Sequence, residues 1–366
     1  MQLDKIAKSA QVMVAMSGGV DSSVTAALLK QKGLRVFGVF MQLGQADAAE
    51  QTARVQKIAN FLKIPFTTVN LESEFKLQVL SYFSKSYLQG RTPNPCVVCN
   101  QTIKFGKLLD YAMAQGMDYL ATGHYAKSST GEDGITRLFC GSDPKKDQAY
   151  FLCRLSQAQL SKILFPLAQT TKKKVYELAH ELGLSGQHSS ESQDICFMNG
   201  LSLQEYFAAS LPAAAPGDFM TTNGDFKGSH TGIRNYTVGQ RRGLGIPDAT
   251  PYYVTRLDAA KNQVIIGKDC DLWHKSLQIK EINWLSGQEP QLPANFIVKI
   301  RYRHNGALAQ VRTAARQQSC ANEDGAAPIV CDKLIIDFKE PQRAITPGQF
   351  AVLYHNNEVI GSGEIC

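Results

Sequence analysis

The sequence predicts an α/β chain in which an N-terminal nucleotide-binding domain with a parallel sheet is followed by a small central domain and a C-terminal β-barrel. Three observations support this fold. An apolar run at 11–16 leads through a Gly-Gly turn into a helical pattern at 22–32. Further strand-like runs then alternate with helical patterns, which is typical of a parallel sheet. After residue 217 the chain changes to short β-like runs separated by turn residues, which is typical of small β domains or barrels.

The first half supplies the predicted parallel sheet. Strands are expected at 34–41, 66–70 and 119–123, and helices at 51–62 and 103–115. Right-handed crossovers join such strands, and ligands bind at the carboxyl ends of the strands. The loop 17–22, Met41 and Gly123 are therefore predicted to surround one pocket.

The loop 17–22 has the features of an anion-binding turn. Its glycines allow backbone N–H groups to approach a phosphate, and the following helix adds a positive partial charge at its N-terminus. The loop does not end in Gly-Lys-Ser or Gly-Lys-Thr, so it is not the common P-loop. It resembles the PP-loop of the ATP pyrophosphatase superfamily, whose members bind the pyrophosphate part of ATP. The alternative is a glycine-rich turn without a ligand.

The second half begins with a helix at 201–211 and a linker at 213–217. Short β-like runs follow at 261–267, 296–302, 309–314, 334–338 and 349–354. Cations alternate with aromatic residues in this half, a pattern that suits RNA phosphates and unstacked bases: Arg234, Tyr236, Arg241, Arg242, Arg301, Tyr302 and Arg303. A solvated strand face is the alternative interpretation.

Composition sets wider limits. The chain has 366 residues, 44% of them hydrophobic and 19% charged, which predicts two or three packed domains. No apolar run is long enough to cross a membrane, and the N-terminus lacks a signal-peptide pattern, so a cytoplasmic protein is expected. The net charge of +7 is compatible with a nucleic-acid partner.

Nine scattered cysteines argue against a disulfide scaffold in a chain of this size. Cys96 and Cys99 form the one C-x-x-C pair, and no second pair or His pair at zinc-ligand spacing accompanies them. Prolines around Asn94 predict a stiff loop at 91–100 rather than a helix. A cysteine just before a helix N-terminus would have its thiolate stabilised. Redox or covalent chemistry, or a structural role, remain open for the pair and for Cys196.

Eight motifs together resemble the tRNA-specific 2-thiouridylase family, and they follow the family's order along nearly the whole chain. They are SGGVDS (17–22), TPNP with CN (92–95, 99–100), IKF (103–105), ATGHYA (121–126), KDQAYFL (146–152), SQDICF (192–197), YTVGQRRGLGI (236–246) and TPGQ (346–349). Members of this family replace the C2 oxygen of the wobble uridine of tRNA with sulfur.

The resemblance assigns roles residue by residue. It implies an ATP site formed by Ala15, Met16, Ser17, Gly18, Gly19, Val20, Asp21, Ser22, Met41 and Gly123. It implies that Cys99 is the nucleophile and that Cys196 carries a persulfide. It implies tRNA contacts by Asn94, Pro95, Cys96, His124, Lys146, Asp147, Gln148, Arg301, Tyr302 and Gln349. Two departures are visible, because some relatives have Asp at the position of Cys96, and the segment 42–47 is short.

The implied reaction cleaves ATP to AMP and pyrophosphate, with Mg²⁺ accompanying the nucleotide. Asp21 would cap the helix or hold the metal ion, and no other metal site is assigned. The implied partners are tRNAs for Lys, Glu and Gln and a persulfide donor such as a cysteine desulfurase or sulfur-relay protein. Domains are expected at 1–205 (PP-loop), 206–280 (central, β-rich) and 281–366 (barrel, tRNA-binding). The alternatives are an ATP pyrophosphatase that forms C–N bonds and an RNA-binding or zinc-binding module.

Overall fold

A computed structural model describes residues 6–184, 195–198, 200–314 and 333–366 of the chain. Its first half contains seven strands: β1 (Gln11–Ala15), β2 (Arg35–Gln42), β3 (Phe66–Asn70), β4 (Tyr119–Ala121), β5 (Ala126–Thr130), β6 (Thr136–Cys140) and β7 (Ile163–Leu164). Five of these form a parallel sheet in the order β3-β2-β1-β4-β7. The predicted parallel sheet is confirmed, and the short β7 extends it by one strand.

Helices cover both faces of this sheet: α1 (Val20–Gln31), α2 (Ala48–Phe61), α3 (Glu72–Phe75), α4 (Ser81–Leu88), α5 (Pro95–Cys99), α6 (Leu108–Ala114), α7 (Gln157–Leu160) and α8 (Lys172–Glu181). Side chains alternate across β1, as in any strand. Val12 and Val14 pack with α1 and α2, whereas Met13 packs on the opposite side with α6. Burial on both faces explains why β1 is a continuous apolar run.

The cysteine pair lies on a helix, so the predicted stiff loop at 91–100 is wrong from Pro95 onward. Asn94 caps this helix, because its side chain accepts a hydrogen bond from the Val97 N–H at 3.3 Å. Pro95 occupies the first turn, where its fixed φ suits the helix and its missing N–H is not needed. The two features that suggested a loop are therefore helix-start signals.

Two stretches of this domain are π-helical. Lys76–Leu80 joins α3 to α4, and Asn100–Lys107 joins α5 to α6. The second stretch begins directly after Cys99. π-Helical turns are rare and often occur at functional sites.

The second half starts with α9 (Leu203–Ser210) and a small four-stranded sheet. Its strands are β8 (Gly217–Thr221), β9 (Phe226–His230), β10 (Tyr253–Asp258) and β11 (Gln263–Gly267), in the order β10-β11-β8-β9. Phe219, Val254 and Ile266 are among the buried side chains of a separate small core.

The C-terminal part is a closed six-stranded antiparallel barrel, as predicted. Its strands are β12 (Trp273–Trp284), β13 (Ala294–Lys299), β14 (Ala307–Thr313), β15 (Leu334–Arg343), β16 (Phe350–His355) and β17 (Glu358–Ile365). Pairing of β12 with both β15 and β17 closes the barrel. β12 runs through position 280, so one strand crosses the expected 280/281 boundary.

The barrel is joined to the first domain by shared backbone pairing. The β5–β6 hairpin, which the sequence analysis did not predict, continues the barrel sheet because β6 pairs with β17. Buried side chains add to this junction: the Tyr150 hydroxyl donates to the Phe350 carbonyl at 2.9 Å, and the Ser362 hydroxyl donates to the Cys153 carbonyl at 2.9 Å. None of the helices described is both long enough and apolar enough to cross a membrane.

Candidate active site

The loop between β1 and α1 has the geometry of an anion cradle. Gly18 has a φ of +76°, which only glycine adopts without strain. Gly19 precedes α1, and no side chain caps the helix N-terminus in the described structure. The first-turn N–H groups of a helix have no partner within the helix, so here they face whatever occupies the loop. Residues 15–22 thus fit the phosphates of a nucleotide.

Gly123 packs directly on this loop. A Cβ at position 123 would lie 2.9 Å from the Cβ of Asp21 and 3.0 Å from the backbone N of Ser22. β1, β2 and β4 are adjacent and parallel, so the loop, Met41 at the end of β2, and Gly123 after β4 lie at one edge of the sheet. This is the arrangement that the sequence predicted for the pocket.

The carboxylate of Asp21 is held by two side chains that the sequence analysis did not identify. Lys172 Nζ donates to both carboxylate oxygens, at 2.9 and 2.8 Å, and the Tyr125 hydroxyl donates to Oδ1 at 2.7 Å. The Lys172 side chain is only 10% exposed. In the sequence, Lys172 begins a run of three lysines of the kind found at solvent-exposed helix ends, and Lys173 and Lys174 are exposed. The sequence therefore gives no sign that Lys172 is buried.

Two residues predicted to contact tRNA make hydrogen bonds within the protein. Gln148 Oε1 accepts from the Tyr125 N–H at 3.0 Å, and its own N–H donates to the Tyr125 carbonyl at 2.8 Å. Asp147 is buried, and its Oδ1 accepts from the N–H groups of Gly141 and Ala149. Lys146, beside them, is half-buried. Through Tyr125, this segment supports Asp21 in the glycine loop.

The three thiols of interest differ in exposure. Cys99 is buried, Cys96 is half-buried and Cys196 is exposed. Burial raises the pKa of Cys99 to about 12, and burial also raises the pKa of Cys96. The thiolate stabilisation expected from a helix start is not found for Cys99, which ends α5 instead of preceding a helix, and loss of hydration raises its pKa. Cys196 lies near the pair, because the next residue, Phe197, packs against the apolar cluster that contains Cys99. A negative charge on Cys196 would raise the pKa of both thiols further.

Lys104 is the cation that faces the cysteine pair. Its charge opposes burial and lowers the pKa of Cys96 and Cys99. Arg91, the other cation close to the pair in sequence, instead pairs with Glu364 of the barrel at 2.9 Å.

His124 also lies near Lys104, and its imidazole is uncharged. Burial and then Lys104 lower its pKa well below its usual value. Its Nδ1 is 2.8 Å from the Thr122 hydroxyl, and its ring packs near Phe105. A tRNA contact by this side chain would use a neutral imidazole rather than a cation.

Cys196 is placed by the aromatic residue that follows it. The Phe197 ring packs against Phe83, Tyr206 and Phe75 at centroid distances of 5.1, 5.5 and 5.9 Å. Tyr206 belongs to α9, so the second half of the chain helps to position this short segment. Residues 192–194 of the SQDICF motif lie outside the described residues.

The barrel contacts the segment that leads into α5. Gln349 Nε2 donates to the carbonyls of Thr92 at 2.9 Å and Pro93 at 3.3 Å. The Thr92 N–H donates to the Pro347 carbonyl at 2.8 Å. Asn94 and Pro95 themselves are buried, so the side chains predicted to meet the target base shape the backbone around Cys96.

Arg301 and Tyr302 follow β13 of the barrel, and the Tyr302 ring reaches the first domain. The Tyr302 ring lies 4.4 Å from that of Phe151, and an Arg301 Nη donates to the Arg343 carbonyl at 3.1 Å. Asn100 is nearby, because its Nδ2 donates to the Phe151 carbonyl at 3.2 Å. Its Oδ1 is buried without a hydrogen-bond partner among the described residues, which leaves an acceptor for a ligand.

Within the described ranges, no group of three or more His, Cys, Asp or Glu side chains is arranged to hold a metal ion.

Comparison with known proteins covers almost the whole chain. Three family models match in order: the tRNA methyl transferase HUP domain at residues 10–200, the tRNA methyl transferase PRC-barrel domain at 204–268, and the aminomethyltransferase beta-barrel domain at 274–365.

Named relatives are similar over the same length. The tRNA-specific 2-thiouridylase MnmA of Desulfotalea psychrophila is 43% identical, with 96% of this chain and 98% of that protein covered. The protein of the same name from Magnetococcus marinus is 41% identical, with 97% and 98% covered. The tRNA-specific 2-thiouridylase MnmA 2 of Geobacillus kaustophilus is 39% identical, with 99% and 96% covered. The resemblance found in the motifs is confirmed, and the chain belongs to the tRNA-specific 2-thiouridylase family.

Proposed function

We propose that this protein is an ATP-dependent tRNA sulfurtransferase that makes 2-thiouridine at the wobble position. The observation that carries the proposal is the convergence of Cys96, Cys99 and Cys196 beside Lys104, in the same domain as the glycine loop. A loop suited to pyrophosphate allows ATP to adenylate a carbonyl oxygen, and the thiols would supply the sulfur that replaces it. A nucleotide loop together with reactive thiols agrees with the activity named for relatives about 40% identical to this chain, the tRNA-specific 2-thiouridylases.

ATP would bind with its phosphates at the N-terminus of α1. There the first-turn N–H groups and Lys172 stabilise negative charge, while Asp21 holds Lys172 in place and Tyr125 in turn holds Asp21. Mg²⁺, when bound with the nucleotide, supplies further charge neutralisation on the phosphates. Because Lys172 and Tyr125 already engage Asp21, its carboxylate is better placed to position Lys172 than to act as a metal ligand.

Sulfur would be carried as a persulfide on Cys196, the exposed thiol that a donor protein can reach. The uridine C2 oxygen is first adenylated, and pyrophosphate leaves. In one route the terminal sulfur of the persulfide attacks C2 and AMP departs with the oxygen. Cys99 then attacks Cys196, which cleaves the persulfide S–S bond, forms a Cys99–Cys196 disulfide and leaves sulfur on the base.

In a second route Cys99 attacks Cys196 first. The same disulfide forms and hydrosulfide is released within the site. The hydrosulfide then attacks C2, and AMP departs with the oxygen. Both routes consume one external dithiol to reduce the disulfide, and both need Cys99 as a thiolate. Because burial keeps Cys99 protonated in the resting state, Lys104 is the group that favours its ionisation.

The tRNA would lie against the junction of the barrel with the first domain. Tyr302 lies at this junction with Arg301 next to it, and Asn100 Oδ1 offers a hydrogen-bond acceptor nearby. The wobble base must be turned out of its stack to reach the thiols, which costs a few kcal/mol. Phosphate contacts by the barrel would offset that cost.

The alternatives differ in what they require. An ATP pyrophosphatase forming C–N bonds needs the glycine loop but not two distant cysteines that meet. The methyl-transfer wording of the family models describes another chemistry, for which converging thiols and a pyrophosphate loop have no evident use. A zinc module needs further ligands beside Cys96 and Cys99.

The test is mass spectrometry of tRNA nucleosides from a strain that lacks this protein, with variants returned on a plasmid. The native chain should restore 2-thiouridine derivatives, whereas Cys99→Ser and Cys196→Ser should not. Cys96→Ser should restore part of the signal, since relatives tolerate another residue there. The exposed Cys270→Ser is the matched control. Full activity of Cys196→Ser would reject the persulfide assignment, and an unchanged nucleoside profile in the deletion strain would reject the function.

A further inference from the structure

The π-helical stretch Asn100–Lys107 decides which way Lys104 points. In an α-helix a residue five positions along is rotated by about 140° from the first, because each residue turns about 100°. A π-helix pairs residues five apart, so they lie on nearly the same side. Cys99 and Lys104 are five apart, and the π-helical form places both on one face.

π-Helical backbone is less stable than α-helix and needs support from its surroundings. Here the support is the side chain of Gln159. Its Nε2 donates to the Gln101 carbonyl at 2.9 Å and to the Phe105 carbonyl at 2.7 Å, so one amide bridges the two ends of the stretch. Gly106 contributes as well, because a Cβ there would lie 3.1 Å from the Gln101 carbonyl oxygen.

Gln159 is itself held in one orientation. It is the third residue of α7, and its Oε1 accepts from the Ser156 N–H at 3.0 Å while its own N–H donates to the Ser156 hydroxyl at 3.3 Å. This reciprocal capping box uses the acceptor side of the amide. The donor side is therefore directed to the π-helical carbonyls, and glutamine is the residue type that supplies both ends.

We propose that Gln159 is a positioning residue that keeps residues 100–107 π-helical, so that Lys104 faces the cysteine pair. Without the bridge, the stretch relaxes toward α-helix and Lys104 turns away from Cys99. The consequence for sulfur transfer rests on the proposed function, whereas the structural coupling does not. Among the described residues, the charged and titratable groups that act on Cys99 are Lys104, Cys96 and Cys196, and Lys104 also acts on His124.

The test measures how much Lys104 assists thiolate formation in different backgrounds. Purified full-length protein is alkylated with iodoacetamide at a pH below the thiol pKa, and fragment mass spectra report Cys96 and Cys99 separately. In the native background, Lys104→Met should slow alkylation of the cysteine pair about threefold or more, which is the change in rate produced when the thiol pKa rises by about half a unit. In Gln159→Met the same Lys104 substitution should change the rate less than about 1.5-fold, since Lys104 no longer faces the thiols.

Gln157→Met is the matched control, because Gln157 lies on the same helix and its amide donates to the Thr136 carbonyl at 2.8 Å, away from the π-helical stretch. The full Lys104 effect should persist there. Comparing ratios within each background removes any change in access of the reagent. If Gln159→Met fails to fold, as judged by circular dichroism, Gly106→Ala perturbs the same stretch from the other side and should abolish the Lys104 effect.

Two results would overturn the proposal. One is an unchanged alkylation rate when Lys104→Met is made in the native chain. The other is a Lys104 effect of equal size in the native chain and in a folded Gln159 or Gly106 variant.

Discussion

At the scale of single residues, burial has opposite meanings for the two cysteines that the proposed chemistry uses. Cys99 is 7% exposed and is kept as a neutral thiol, whereas Cys196 is open to solvent. An exposed thiol can exchange sulfur with another protein, and a buried one is protected from adventitious oxidation until a substrate fills the site. The division of roles implied by the family resemblance therefore agrees with the difference in access.

The raised pKa of Cys99 predicts a pH dependence of its reactivity. Because the pKa is about 12, the thiolate fraction should rise about tenfold per pH unit from pH ~7 to ~10 without a plateau. The measurement is the iodoacetamide alkylation rate of Cys99 against pH. The chain unfolded in urea is the control, since its thiols should level off near the ordinary pKa of about 8.5. A plateau near that value in the folded protein would contradict the burial argument.

Asp21 gives a second prediction at this scale. Asp21→Asn removes the negative partner of Lys172, whose side chain is 10% exposed, so Lys172 should lose its position at the glycine loop. Formation of AMP from ATP should fall by at least about tenfold with the fold retained. Asp47→Asn, an exposed carboxylate next to α2, is the matched control and should be neutral. Product chromatography provides the readout, and ADP as the main product of the native chain would exclude the proposed reaction.

At the scale of elements, helix α5 is positioned from three directions. Asn94 and Pro95 start it, the π-helical stretch continues it, and Gln349 of the barrel binds the two carbonyls just before it. The sequence resemblance implied that Gln349 touches tRNA. Its side-chain amide is instead bonded to the backbone at 92–93, which favours a positioning role.

This difference can be measured. Gln349→Ala should lower the rate of thiolation by about tenfold or more, because displacing a catalytic group by even 1 Å has effects of up to about 10²-fold. The affinity for tRNA should change less than about twofold. Gln310→Ala, an exposed glutamine of the same barrel, is the control. A large loss of tRNA affinity with unchanged single-turnover rate would return Gln349 to the tRNA interface.

At the scale of the whole molecule, the barrel and the first domain form a continuous structure. The β5–β6 hairpin extends the barrel sheet, and Asn283 Nδ2 donates to the carbonyls of Cys153 at 2.9 Å and Leu155 at 3.2 Å. The barrel, which is proposed to bind tRNA, is thus tied directly to the part of the first domain that carries Phe151 and Asn100. Binding of the tRNA arm and alignment of the base are expected to be coupled through this junction.

Arg301 tests that role. Arg301→Ala should weaken tRNA binding and reduce the slope of log K against log salt by about one, the value for one phosphate contact. Affinity for ATP should be unchanged. Arg312→Ala is the matched control, because it removes an exposed arginine of β14 that pairs with Asp337 of β15. Filter binding at several salt concentrations gives the slope, and equal slopes for the native protein and Arg301→Ala would place Arg301 outside the interface.

Local patterns were sufficient for the parallel sheet, the glycine loop and the change to short strands in the second half. Strand periodicity and glycine turns are local properties, so β1, α1 and the pocket at the carboxyl edge could be predicted. The β5–β6 hairpin and the long strand β12 were not predicted, because their pairing partners lie far along the chain. The helix at Pro95–Cys99 was misjudged because the same Asn-Pro pair suits both a turn and a helix start.

The sequence alone determined the family, the fold class and the residue types for ATP and sulfur chemistry, because motifs in a fixed order are visible in the sequence itself. Only the tertiary structure decided which charges act. It separated Lys172 and Lys104 from the many surface lysines, placed Cys196 near Cys96 and Cys99, and showed that Gln349 and Gln148 make hydrogen bonds within the protein. The physical reason is that burial and ion pairing depend on contacts between distant segments, which no local pattern records.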